Sequence, residues 1–309
     1  MNPTTQQERL AALPNGTRIC WSSCGRTDAP AVVLIAGLGL QWVYWPAALV
    51  DGLASSGLRV ICFDNRDAGR SSRSTTPQPS QLDLLLGRAP ATCYALEDMA
   101  EDTALLMQHL GLAQAHVVGM SMGGMIAQAL ACRHPKRVAS LVSIFSTTGH
   151  RRVGQPAPST LLGMALARRP RSRQEALERF ARVMTHIGDP TAPGALAEWS
   201  RYAALAWERN GERADAKAFN RQIAAIFKSG DRTAQLAAIR VPTLVVHGDV
   251  DRMVAPSGGV ATARAIPGAR HEVLAGMRHQ IDTWQSTRLL PLLIEHFQKA
   301  APIGAKAGS

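Results

Sequence analysis

The sequence predicts an α/β protein with a mostly parallel, doubly wound sheet, helices on both of its faces, and a helical insertion before the last strands. Three observations carry that prediction. Short apolar runs rich in β-branched residues alternate with segments of helical spacing. A Gly119-Met120-Ser121-Met122-Gly123 turn falls between one such run and one such helix. From Ser146 to about Arg232 the strand-like runs stop. The 309 residues are 46% hydrophobic and 18% charged, and a chain of this size buries about three quarters of its unfolded surface. Disordered, collagen-like and coiled-coil classes are thereby excluded.

In chain order, Pro14-Asn15-Gly16 is a hairpin turn signal ahead of a strand at Thr17–Ser22. Ala31–Ala36 and Arg59–Phe63 have the length and branched content of buried parallel strands. Between Ala95 and Leu110, the side chains of Leu96, Met99, Leu106 and Leu110 fall on one helical face, and Gly111 is a fitting stop. A strand at His116–Met120, a helix at Met122–His134 closed by Pro135, and a strand at Val138–Phe145 complete a β-α-β-α-β run. The insertion is rich in Ala, Arg and Leu at helical spacing. Strands resume at Val241–His247 and His271–Leu274, a closing helix runs from about Thr283 to Lys299, and the tail from Ala301 is expected to fray. The expected division is a core of residues 1–146 and 233–309 with a helical cap over 147–232.

The formal charge is +11, and residues 151–240 hold 16 Lys+Arg against 8 Asp+Glu. Nothing longer than the pairs Arg151-Arg152 and Arg168-Arg169 occurs, so these charges are expected on solvated helix faces and nucleic acid is not an expected partner. The longest apolar run, Ala31–Leu40, is ten residues, half of the ~20 a spanning helix needs, so no membrane span is expected. Cys20, Cys24, Cys62, Cys93 and Cys132 cannot all pair and lack zinc spacing, which points to reduced core fillers and no metal. With no signal-like opening at Met1-Asn2-Pro3, the cytoplasm is the expected compartment.

Ser121 carries the strongest chemical signal. A serine on so tight a strand-to-helix turn needs residues without bulk two positions to either side, and Gly119 and Gly123 supply them. The amino-terminal N–H groups of the following helix face the serine, so the Met122 N–H can donate to an oxyanion. A serine hydroxyl needs a base, and the base an orienting carboxylate, both at the carboxyl edge of the sheet. Asp251 in the loop after the strand ending at His247, and His279 in the loop after the strand ending near Leu274, are in reach. His271 opens its strand and would lie about 15 Å from that edge. His247 is read as structural, His150 is a rival base and Asp249 an alternative carboxylate. The loop Ala36-Gly37-Leu38-Gly39 should give the second oxyanion donor through the Leu38 N–H, with Gly37 and Gly39 letting the chain bend toward substrate. Trp42 and Trp45, with Gln41 and Tyr44, are candidates for the wall of a substrate pocket or for core packing.

On these residues the chain resembles the α/β-hydrolase fold family over nearly all its length outside the insertion. The order Ser121, Asp251, His279 matches that family's order of nucleophile, acid and base. Phe63-Asp64-Asn65-Arg66-Asp67-Ala68-Gly69-Arg70-Ser71 is similar to its D-x-R-G-x-G-x-S segment, with Asp67 where glycine is commoner, and Ala36 stands where many members have histidine. Both departures, with Trp45-Pro46, are similar to serine esterase-like members of the aclacinomycin methylesterase subgroup. The resemblance implies acyl transfer rather than the aspartate-nucleophile chemistry of haloalkane dehalogenases and epoxide hydrolases. The expected function is a cofactor-independent serine hydrolase, monomer or homodimer, cleaving small-molecule carboxylic esters with water through an acyl-enzyme. Perhydrolase, amide or carbon–carbon bond hydrolase chemistry and a non-catalytic receptor are the alternatives.

Overall fold

The carboxyl ends of a central sheet gather the segments of interest onto one edge of the molecule. The computed structural model describes residues 7–166 and 170–300; the amino-terminal residues 1–6, the Arg168-Arg169 pair and the tail from residue 301 lie outside the described residues. An amino-terminal hairpin of β1 (Arg9–Ala12) and β2 (Arg18–Cys24) precedes β3 (Ala31–Ile35), α1 (Ala47–Ser55) and β4 (Arg59–Phe63). A short α2 (Gln81–Leu85) leads to α3 (Leu96–His109), β5 (Ala115–Met120), α4 (Met122–Arg133) and β6 (Val138–Ile144). The eight strands follow the order β1-β2-β4-β3-β5-β6-β7-β8, where β7 is Thr243–Gly248 and β8 is Arg270–Leu274. Only the pairs β1–β2 and β2–β4 are antiparallel. Between β3 and β5 the chain changes direction across the sheet, the place where α/β sheets open a crevice.

Alternation along the parallel strands splits the core in two. Val32, Leu34, Val60, Cys62, Val118 and Met120 pack with Leu49 and Leu53 of α1 and with Leu289 and Leu293 of α11 (Thr283–Lys299). Val33, Ile35, Ile61, Phe63 and Val117 face Met99 and Leu106 of α3 and Ile126 and Leu130 of α4 on the other side. α4 is buried from Met122 to Ala131, with Gln128 the one polar side chain in that stretch.

Between β6 and β7 lie α5 (Pro158–Leu166), α6 (Arg173–Ile187), α7 (Ala195–Arg209), α8 (Ala216–Ser229) and α9 (Thr233–Leu236). Ser172 caps α6 through the Glu175 N–H at 3.2 Å and Asp215 caps α8 through the Ala218 N–H at 3.0 Å. Here the expectation that the insertion's charges lie on solvated faces needs correction. Arg209, Arg221 and Arg232 are buried. Arg209 at the end of α7 reaches Asp64 at 2.9 Å and Glu8 at 2.7 Å, and Arg221 on α8 forks onto Asp67 with contacts of 2.6 and 2.8 Å. Their partners are remote in sequence, so local charge spacing could not reveal them.

The Arg209–Asp64 pair has a testable energetic consequence. Removing one partner of a buried pair leaves the other charge desolvated and uncompensated, at a cost of roughly 3–5 kcal/mol. Arg209→Met is expected to lower the unfolding free energy by about that amount in urea titrations. A loss below about 1 kcal/mol would mean that water reaches Asp64.

Candidate active site

Ser121 sits on the reversal between β5 and α4, with φ 55° and ψ −122°, a region an L-residue enters only under constraint. Its neighbours impose that constraint. A Cβ at Gly119 would overlap the Gly123 carbonyl, and one at Gly123 would overlap the carbonyls of Ile35 and Ala36. The Ser121 N–H donates to Ile144 O at 2.9 Å, and the Ser121 carbonyl accepts the Ser146 hydroxyl at 2.8 Å, so the turn is also held from β6 and the loop after it. The Ser121 hydroxyl is 3.0 Å from His279 Nε2.

His279, in the loop after β8, places Nδ1 2.7 Å from Asp251 Oδ2. A carboxylate only accepts, so Nδ1 carries the proton and the Nε2 lone pair faces the hydroxyl. The ring lies obliquely against Phe145 with centroids 4.4 Å apart, and the His279 N–H donates to Ile187 O at the end of α6 at 3.0 Å. Asp251 is fixed in turn by the loop after β7: its Oδ1 accepts the N–H groups of Met253 and Val254 at 2.8 and 3.0 Å. His247 Nε2 donates to Val254 O at 2.9 Å and stands 3.5 Å from Asp251 Oδ2. Burial raises the pKa of the Asp251 carboxyl, but its electrostatic interaction with the His279 ring, the nearby His247 ring and the hydrogen bonds from His279 and the Val254 N–H outweigh it and hold the group well below the usual carboxylate range. Asp251 is therefore ionised at neutral pH.

The loop after β3 approaches this turn closely, since a Cβ at Gly37 would sit 3.3 Å from Ser121 Cβ. The Leu40 N–H donates to Gly37 O at 3.1 Å, closing a four-residue turn whose third residue, Gly39, has φ +68°, as a type II turn requires. Among the described residues, no hydrogen bond uses the N–H of Leu38 in this turn or of Met122 at the start of α4. Trp42 donates its backbone N–H to Asp64 Oδ1 at 2.8 Å and its indole N–H to Glu8 at 3.3 Å, with Arg209 above its ring. Trp45 lines a cleft of about 210 Å³ together with Tyr44, Trp199, Tyr202 and Ile281; Ser121 and His279 are not among its lining residues.

The rival residues are occupied elsewhere. Asp249 Oδ1 accepts the Gly276 N–H at 2.7 Å and so pins the loop that carries His279. His150 Nδ1 accepts the Arg152 N–H within its own turn, and His271 lies inside β8.

Sequence reasoning missed the residues that hold the Gly37–Gly39 loop. Asp64 accepts the N–H groups of Trp42 and Arg70, and a Cβ at Gly69 would overlap its carboxylate. Asn65 Nδ2 donates to Ala36 O at 3.0 Å. Both lie in the Phe63–Ser71 segment already singled out, which was the available signal. Asp67, at the position where glycine is commoner, has φ 65°. An aspartate tolerates that region, and its carboxylate takes Arg221, the Tyr94 hydroxyl at 2.9 Å and the Ser74 N–H at 3.0 Å. Among the described residues no group of three or more His, Cys, Asp or Glu could hold a metal ion, and no helix is long and apolar enough to cross a membrane.

A hydroxyl, an imidazole and an ionised carboxylate in this hydrogen-bonded order can activate the oxygen as a nucleophile. Comparison with known proteins bears on what the arrangement serves. The family model of the alpha/beta hydrolase fold matches residues 30–281. Rhodomycin D methylesterase DauP of Streptomyces sp. (strain C5) is 31% identical over 272 residues, covering 82% of this chain and 86% of that protein. The putative carbamate hydrolase RutD of Variovorax paradoxus (strain S110) is 29% identical over 230 residues, covering 74% of this chain and 77% of its own. Among solved structures, the esterase RhEst1 from Rhodococcus sp. ECU1013 superposes with a TM-score of 0.71 at 22% identity, covering 95% of this chain and 99% of that one. The enol-lactonase from Burkholderia xenovorans LB400 gives 0.69 at 23% identity, covering 94% and 100%.

Proposed function

Because this chain belongs to the alpha/beta hydrolase fold family, we propose that it is a cofactor-independent serine hydrolase of carboxylic esters, with Ser121 as nucleophile, His279 as general base and Asp251 as the group that orients it. The observation that carries this reading is the unbroken hydrogen-bonded chain from the Ser121 hydroxyl through His279 to Asp251, at 3.0 and 2.7 Å. Kinship with named methylesterases supports ester substrates.

In the reaction, Ser121 Oγ attacks the ester carbonyl as its proton passes to His279 Nε2, and the carbonyl oxygen becomes an oxyanion held by the N–H groups of Leu38 and Met122. The tetrahedral intermediate collapses, His279 returns the proton to the leaving alkoxide, and an alcohol departs. Water, deprotonated by the same imidazole, then attacks the acyl-enzyme, and the carboxylic acid leaves as Ser121 regains its proton. Asp251 holds the imidazole in the Nδ1–H tautomer throughout. The helices over residues 147–232 act as a cap above this edge, one of whose carbonyls, Ile187 O, already holds the His279 backbone. Gly37, whose added Cβ would come within 3.3 Å of Ser121 Cβ, lies beside the acyl site, while Gly39 packs under Phe219 and Trp42 and Trp45 support the loop from the core. The free thiols of Cys20, Cys24, Cys62, Cys93 and Cys132 fit a reducing, cytoplasmic setting.

Relatives named as putative carbamate hydrolases favour carbamates as a second substrate class for the same groups. The test is a panel of nitrophenyl esters of graded acyl length, methyl esters and carbamates, run beside labelling with a fluorophosphonate and peptide mapping. Turnover of esters with a single adduct, on Ser121, is the expected result. Labelling at another serine, or no turnover and no adduct, would overturn the proposal.

A further inference from the structure

We propose that Gln222, on α8, is a positioning residue for oxyanion stabilisation: it holds the Gly37–Leu40 turn in the conformation that presents the Leu38 N–H. The inference rests on the reading of Leu38 as an oxyanion donor. Gln222 is fully buried, and both ends of its amide are used. Its Oε1 accepts the Gly39 N–H at 2.8 Å and its Nε2 donates to Arg66 O at 2.8 Å, so one side chain ties the loop after β3 to the loop after β4.

The geometry around that bridge supports more than a packing role. The bond falls on the peptide just after Leu38, in a turn whose third residue has φ +68°. The central peptide of such a turn, Leu38–Gly39, can rotate between type I and type II settings unless its N–H is held. The Leu38 N–H lies on the peptide before it, so the Gln222 bond acts on that donor by fixing how the turn is seated against Ser121. Phe219, three residues before Gln222 and on the same helix face, lies over Gly39, where an added Cβ would come within 2.8 Å of its ring. Arg221 clamps α8 to Asp67 beside them. The turn is tied to the core at its ends, through Asn65 to Ala36 O and Asp64 to the Trp42 N–H. The middle of the turn, one peptide beyond the donor, is tied by α8. The insertion thus fixes one of the two oxyanion donors.

The test compares Gln222→Met, which fills the space but offers the Gly39 N–H no comparable acceptor, with Gln222→Glu, which keeps an acceptor there. Each is assayed for kcat and KM on a nitrophenyl ester, for affinity toward a trifluoromethyl ketone, and for thermal midpoint. The ketone adds to a reactive serine and places an oxyanion in the same site. Gln222→Met is expected to lower kcat by about 10-fold or more, with ketone affinity falling in step and KM staying within about threefold. Gln222→Glu is expected to recover most of both losses. Unchanged kcat and ketone affinity in Gln222→Met would overturn the inference. So would losses in kcat that only follow KM and the thermal midpoint, or Gln222→Glu as impaired as Gln222→Met. An inactive, unlabelled wild-type protein would instead overturn the hydrolase reading on which the inference stands.

Discussion

Ser121→Ala is expected to lower ester turnover by on the order of 10⁴-fold or more, about 5.5 kcal/mol of barrier, while leaving the fold intact. The alanine keeps the backbone contacts to Ile144 and Ser146 that hold the turn, so the change removes an oxygen and little else. Residual rate should come from binding and the two N–H donors, and the fluorophosphonate adduct should vanish. A variant retaining more than about a tenth of wild-type kcat/KM with an unchanged circular dichroism spectrum would rule out Ser121 as the nucleophile.

Asp251→Asn is expected to be nearly as damaging, with kcat down by about 10⁴-fold, because an amide can donate to Nδ1 and so favour the tautomer that leaves Nε2 protonated and unable to accept from the serine. Asp249→Asn should cost less than about tenfold, since Asn can still accept the Gly276 N–H that Asp249 takes. Equal losses in the two variants would reassign the carboxylate. The same pair gives a pH signature. Asp251 has its folded pKa below its unfolded value, so its contribution to stability is whole above about pH 4 and is lost as pH falls through the folded value. The stability gap between wild type and Asp251→Asn should therefore narrow on acidification below about pH 4 in denaturant titrations. A gap that widens there would contradict the depressed value.

The parts of the fold legible in the sequence are those where one local signal coincides with one structural demand. β5 and α4 were readable because a continuous apolar run meets a helix across Gly119 and Gly123, and the backbone admits nothing larger at either glycine. β6 ends at Ile144, one residue before the predicted Phe145, where φ turns to +36° and brings the ring against His279. β7 begins at Thr243 rather than Val241; Pro242 has no N–H to give a ladder, although its carbonyl accepts from Leu141. β1 was invisible because four residues with one buried side chain carry no periodicity. α10 (Ser257–Ala265) was missed because Gly258 and Gly259 lower its helix propensity; tertiary packing against His247, which leaves no room for a Cβ at Gly259, overrides that preference. Around Ser121 the side chains expected to converge, Asp251 and His279, follow separate strands and meet because parallel strands deliver their ends to one edge. Asp64, Asn65 and Gln222 escaped because a supporting hydrogen bond between remote segments leaves no spacing to read.

The buried arginine forks constrain how this insertion could be exchanged. Asp64 and Asp67 sit in the core while Arg209 and Arg221 sit among the inserted helices, so transplanting a foreign insertion onto this scaffold would strand two carboxylates in a dry environment. A viable chimera needs the donor's matching residues at positions 64 and 67 as well. The inserted helices and the short loop carrying Asp64 and Asp67 therefore have to be exchanged as one unit.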